Sequence, residues 1–203
     1  MSHPDLYKTI EGTAEGDYRE KGSKFLSYAF YAASEQDVKD FIEKLKKSHP
    51  TARHFCWWAV LGLENAEERA NDDGEPSGTA GLPILNQIMS YELKNVAVVI
   101  VRYFGGTKLG KPGLINAYKL GTQLALDNAK LVRKYIRKTI EFKFEYPDSG
   151  AVMQAIDKME LGKIVEQEFL ESCKVLVSLP KSEIDNALHL FDYTNQIQVE
   201  EID

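Results

Sequence analysis

The run Val96-Ala97-Val98-Val99-Ile100-Val101 constrains the fold more than any other stretch of this chain. Six consecutive apolar residues, five of them β-branched, are too few for a buried helix and suit a strand covered on both faces. A central strand is therefore predicted over residues 95–104, ended by Gly105-Gly106. Arg102 is the one charge within it, and a charge on such a strand must be paired or sit at the rim. It points toward the neighbourhood of the glycine-rich loop that follows.

Helices to cover the strand are legible on either side of it. Ser34 caps a helix whose Val38, Phe41, Ile42 and Leu45 recur at helical spacing, and the pattern stops before His49-Pro50. Thr79 is the expected N-cap of a second helix, with Pro83 in its first turn and Ile84, Leu85, Ile88 and Met89 as its stripe. A third runs over residues 112–128, with Leu114, Ala117, Tyr118, Gly121, Leu124 and Ala125 on one side. Residues 7–33 read as a long hairpin broken at Glu15-Gly16-Asp17, and residues 54–63 as a buried strand followed by a polar segment.

From residue 132 the rhythm changes. Strand 135–146, helix 149–159, two strands around Ile164 and Val175, helix 182–191 and strand 197–202 make β-α-β-β-α-β. The stripes Val152, Ala155, Ile156, Met159 and Ile184, Ala187, Leu188, Phe191 let both helices cover one face of an antiparallel sheet. The expectation is an α+β protein of two domains, residues 1–131 and a ferredoxin-like βαββαβ domain over residues 132–203. No Gly/Ser linker separates them.

Composition sets outer limits. Apolar residues at 43% and charged residues at 28% are the balance of a globular protein. A net charge of −6 excludes a broadly basic surface, leaving room for a local patch only. Cys56 and Cys173, the only cysteines, each sit among apolar or aromatic neighbours, and the N-terminal segment lacks a secretory pattern, so a reduced cytoplasmic setting is expected. No apolar run approaches membrane-spanning length, so no membrane partner is expected.

Two loops carry the candidate chemistry. Gly105-Gly106-Thr107-Lys108-Leu109-Gly110-Lys111-Pro112 leaves a buried strand and opens a helix, the setting in which backbone N–H groups bind anions. It approaches a P-loop, but Pro112 stands where the magnesium-binding hydroxyl belongs. The second loop, residues 71–81, gathers Asp72, Asp73 and Glu75 ahead of Ser77 and Thr79; its glycine position does not match an EF-hand. His54 and Cys56 share a strand face, but Trp57 and Trp58 beside them favour packing over catalysis. Lys21, Lys24 and Lys119 could extend a basic patch.

The segments NDDGEPSGTAGLPIL, VVIVRYFGGTKLGKPGL and ARHFCWW together resemble the YigZ/IMPACT family. The resemblance covers nearly the whole chain in the bacterial arrangement. It implies an N-terminal domain like the second domain of ribosomal protein five of the small subunit and the fourth of elongation factor G, with a C-terminal domain like that factor's fifth. Both likenesses imply contact with RNA, the ribosome or a translation factor, and the eukaryotic relatives restrain a translation-control kinase. The expected function is non-enzymatic binding of RNA or the ribosome, with a protein partner in translation control as a further possibility. The expected binding set is Arg102, Gly105, Gly106, Lys108, Gly110 and Lys111, with Asp73, Glu75, Ser77, Thr79 and His54 nearby. No catalytic residue, metal or cofactor is assigned. The alternative is an enzyme or binding protein for a phosphorylated small molecule, using the loop of residues 105–113 and the Asp72/Asp73/Glu75 cluster.

Overall fold

A computed structural model describes residues 3–170 and 172–202. It is a mixed α+β structure that divides into two compact units. Tyr7–Lys134 form one; Tyr135 onward, with the residues before Tyr7, form the other.

The first unit runs β1 (Leu6–Glu11), β2 (Thr13–Glu20), β3 (Ser23–Tyr31), α1 (Glu35–Ser48), β4 (His54–Leu61), β5 (Glu67–Asn71), α2 (Gly81–Ser90), β6 (Val96–Tyr103), α3 (Gly110–Asp127) and β7 (Lys130–Tyr135). Five strands make an antiparallel sheet in the order β2-β3-β6-β4-β5, and β1 pairs with β7. The apolar run of β6 lies at its centre, buried on both faces. Val96, Val98 and Ile100 join a core with Ile84 and Ile88 of α2 and Ala117, Tyr118 and Ala125 of α3. Ala97, Val99 and Val101 join a second core with Val38, Ile42 and Leu45 of α1. Each buried Val or Ile contributes on the order of 1.5–3 kcal/mol, so the five of this strand are a large term in the unit's stability.

Local signals explain most elements. Ser34 caps α1 in a full capping box with Asp37. The expected break at Glu15-Gly16-Asp17 is a correction: these residues lie inside β2, and the hairpin turns at Lys21-Gly22, whose φ angles are +46° and +80°. Gly16 serves packing, since a Cβ there would stand 2.7 Å from the Ala125 amide of α3. The polar segment after β4 holds a strand, β5, all five of whose residues are exposed. Its charged edge position suits a strand that must not recruit others. Thr79 does not cap α2. Its hydroxyl donates to the Pro76 carbonyl, and Asp72 accepts from the amides at the helix start.

In the second unit, β8 (Arg137–Glu145), α4 (Ser149–Asp157), β9 (Lys163–Phe169), β10 (Ser172–Pro180), α5 (Ile184–Leu188) and β11 (Gln198–Ile202) form an antiparallel sheet in the order β11-β8-β10-β9. One sheet face, with Phe142, Val175 and Val177, packs under Val152, Ile156 and Ile184 of the helices. The strand expected over 135–146 breaks at Ile136, whose amide donates to Asp5, so 135 ends β7 and β8 begins at 137. The helix expected over 182–191 shortens to α5 behind a 3-10 turn at Lys181–Glu183. There the Ser182 amide and hydroxyl both donate to Asp5, at 2.8 and 2.7 Å. The expected boundary at residue 131 falls inside β7. No helix among the described residues is long and apolar enough to cross a membrane.

Candidate functional site

The period of two along β6 decides where Arg102 goes. Val98, Ile100 and Arg102 share the face toward α3, so the guanidinium continues an apolar row into the interior. On the neighbouring strands Phe25 and His54 lie opposite it. Arg102 is only 6% exposed, and desolvating an ion costs several kcal/mol unless it is paired. Its partner is Glu75, 27 residues earlier, whose Oε1 accepts from Arg102 Nη1 and, at 2.9 Å, from the Tyr118 hydroxyl. The guanidinium carbon also lies 5.4 Å from the Phe25 ring centroid and 5.8 Å from that of Phe104.

A buried polar chain continues behind this pair. Cys56 Sγ lies 3.1 Å from the Tyr118 hydroxyl and 3.0 Å from the Asp72 carbonyl oxygen. Tyr118 spends its hydrogen on Glu75, so the thiol hydrogen serves the Asp72 carbonyl or the Tyr118 oxygen. Burial pushes the Cys56 thiol well up from its ordinary range, and the nearby carboxylates push the same way. Burial likewise raises the Tyr118 phenol, with Cys56 and Glu75 adding to it. Cys56 is therefore a packing group, as its aromatic setting implies, not a nucleophile.

The carboxylates of the 71–81 loop diverge. Asp72 accepts from the amides of Gly78, Ala80 and Gly81 at 3.0, 3.3 and 2.7 Å, so it caps α2. Asp73 accepts from the Phe55 amide at 2.6 Å, and its carbonyl takes a hydrogen bond from His54 Nδ1 at 2.8 Å. Glu75 turns inward to Arg102. Among the described residues no cluster of three or more His, Cys, Asp or Glu could hold a metal ion. Thr79 is buried, and Ser77 is exposed with no side-chain hydrogen bond among the described residues.

The glycine-rich loop is arranged in the opposite way. Gly105 packs against the β2–β3 turn, where a Cβ would come within 1.9 Å of the Gly22 carbonyl carbon. Its amide donates to Ser23 Oγ. α3 then begins at Gly110 with no side-chain cap and no acidic residue in its first turn. Lys108 and Lys111 are exposed and form no ion pair among the described residues. Pro112 lacks an amide, and those of Gly110 and Lys111 have no acceptor among the described residues.

Three depressions meet at Phe104, a large side chain that is 56% exposed at the end of the β6 row. One of about 530 Å³ lies against Arg19 and Lys24. A second, of about 340 Å³, lies against Arg53, His54 and Arg102. The third, about 410 Å³, joins the two loops, with Glu75 and Pro76 on one side and Lys108 and Lys111 on the other. Arg102, Lys108, Lys111, Gly110, Glu75 and His54 of the expected set are thus brought together; Asp73 is drawn into the scaffold through Phe55, and Thr79 through Pro76. Phe104 and Arg53 were absent from that set. The period-two row 98, 100, 102, 104 marks Phe104, because it carries an aromatic past the end of the core.

A model of the Impact N-terminal domain matches residues 21–126, a span that holds both loops, Arg102, Phe104 and Tyr118. The chain belongs to the IMPACT family. It is 36% identical over 146 residues to the IMPACT family member YvyE of Bacillus subtilis, covering 72% of this chain and 67% of that protein. It is 31% identical over 166 residues to the IMPACT family member YigZ of Escherichia coli, covering 81% of each. A crystal structure described as that of a hypothetical protein matches with a TM-score of 0.71 and 28% identity, over 98% of both chains. That match spans both compact units.

Proposed function

We propose that this IMPACT family member is a non-enzymatic, cytoplasmic protein of translation regulation that binds RNA or the ribosome through the surface around Phe104. The observation that carries the reading is the exposed aromatic ring where three depressions meet, bordered by Lys24, Arg53, Lys108 and Lys111. An aromatic platform inside a cationic groove is the arrangement that holds single-stranded nucleic acid, the ring stacking on a base and the cations tracking phosphates. The acidic remainder of the chain confines binding to this face and steers RNA to it.

The family resemblance supports translation as the setting, with a translation factor as a further partner. We read the Tyr7–Lys134 unit as the counterpart of the second domain of ribosomal protein five. The β-α-β-β-α-β order, with its strand order β11-β8-β10-β9, supports a ferredoxin-like reading of the second unit. Both likenesses point toward ribosomal RNA.

Fluorescence anisotropy with structured RNA and with ribosomal subunits tests the proposal. Phe104→Ala is expected to weaken binding by about 1–3 kcal/mol, the usual worth of one stacked base. With Lys24, Arg53, Lys108 and Lys111 free of ion pairs among the described residues, log K should fall against log salt with a slope of roughly −3. Salt-independent binding that ignores Phe104→Ala sinks the reading.

A further inference from the structure

The depression of about 410 Å³ between the two loops has features that a groove for RNA backbone does not need. The 18-residue helix α3 opens into it with uncapped amides at Gly110 and Lys111, where the positive end of the helix dipole lies. Independently, Arg102 lines the same cavity while more than nine-tenths buried. Among the described residues its single hydrogen bond is the one from Nη1 to Glu75, and its buried Nε has no partner there. A guanidinium carries five donors, so this one is held in place with unspent hydrogen-bonding capacity.

Charge counting narrows the ligand. Glu75 cancels Arg102, which leaves Lys108 and Lys111 as two uncompensated positive charges beside the helix end. A phosphodiester brings a single negative charge, whereas a phosphomonoester brings about −1.5 to −2 near neutral pH. Pro76, Leu109 and Leu114 give the cavity an apolar side against which the rest of a ligand can rest. Asp72, Asp73 and Glu75 are all engaged by the protein, so the cavity has groups to hold a phosphate and none free to transfer it.

We infer that this cavity is a phosphomonoester site, formed by the α3 N-terminus, Lys108, Lys111 and Arg102. The inference rests on the proposed RNA-binding surface for its surroundings and on its own geometry for the phosphate. The group it takes is the phosphorylated end of an RNA strand or the phosphate of a small nucleotide-like molecule, which share this chemistry.

Calorimetric titration of the full chain separates the sources. The probes are AMP against adenosine, and one eight-nucleotide RNA carrying either a 5′-phosphate or a 5′-hydroxyl. The phosphate is expected to strengthen binding at least tenfold in at least one pair. Lys111→Ala should erase that difference, while Lys119→Ala, on the same helix outside the cavity, keeps it. Discrimination in the RNA pair assigns the site to strand ends. Discrimination by AMP with no binding of either RNA supports the pocket and overturns the RNA-binding surface. Equal affinity within both pairs overturns the pocket, and if the RNAs still bind, the wider surface stands.

Discussion

The two loops that lead into α2 and α3 solve one problem in opposite ways. Each delivers the chain to a helix whose first amides need acceptors. At α2 the protein supplies its own: Asp72 accepts from three amides, and Asp73 and Glu75 are likewise bonded inward. At α3 the described residues supply none, and Lys108 and Lys111 stand there instead. An acidic loop is thus spent on structure, while the lysines of the glycine-rich one have no partner among the described residues. The lesson is that a cluster of carboxylates is no functional site when backbone amides already claim them.

The contrast breaks first at Glu75, which turns from the first loop to Arg102 and Tyr118. Glu75→Ala leaves Arg102 buried and unpaired, and guanidinium unfolding should show a loss of about 3–5 kcal/mol. A loss under 1 kcal/mol would mean that water reaches the arginine freely. Next, Asp72→Ala strips three amides of their acceptor; about 2 kcal/mol of stability should go, with phosphate and RNA binding unchanged.

Alkaline titration probes the buried chain behind the first loop. The folded state holds the Cys56 thiol and Tyr118 phenol protonated above their ordinary pKa values of 9.0 and 10.0. Their contribution is complete below pH 9 and is lost as pH rises, with a limiting slope of about 1.4 kcal/mol per pH unit per group. Unfolding midpoints measured from pH 8 to 10.5 should fall, and Cys56→Ala should delay the onset toward pH 10. The smallest effect is the most telling. Lys111→Glu places an acid in the first turn of α3 and is expected to stabilise the protein by about 0.5 kcal/mol while abolishing anion binding. Lost stability together with retained binding would erase the distinction between the loops.

Much of the scaffold was legible because local rules and tertiary packing agree there. The β-branched run of β6, the Ser34 box of α1 and the stripe of α3 each carry their signal within a few residues. Where partners lie far away, the sequence was silent. Arg102 announced that it needed a counter-charge, but nothing nearby named Glu75. Thr79 has the chemistry of an N-cap, yet Asp72 reaches the same amides from outside the helix. Gly16 looked like a turn because close approach to α3 and positive φ both select glycine. β5 and β7 escaped notice: one is exposed along its whole length, and the other, with three cations in six residues, resembles a connector until β1 is beside it.

Asp5 has a consequence for the order of events during synthesis. It belongs to the second compact unit, yet its partner Ser182 lies 177 residues further along the chain. At about 5–20 residues per second the ribosome needs on the order of ten seconds or more to make that partner. The Tyr7–Lys134 unit emerges whole in the interval, so it is free to fold while the residues ahead of it wait. A nascent chain stalled just short of Ser182 should already protect β6 and α3 from proteolysis, with Asp5 still unclaimed.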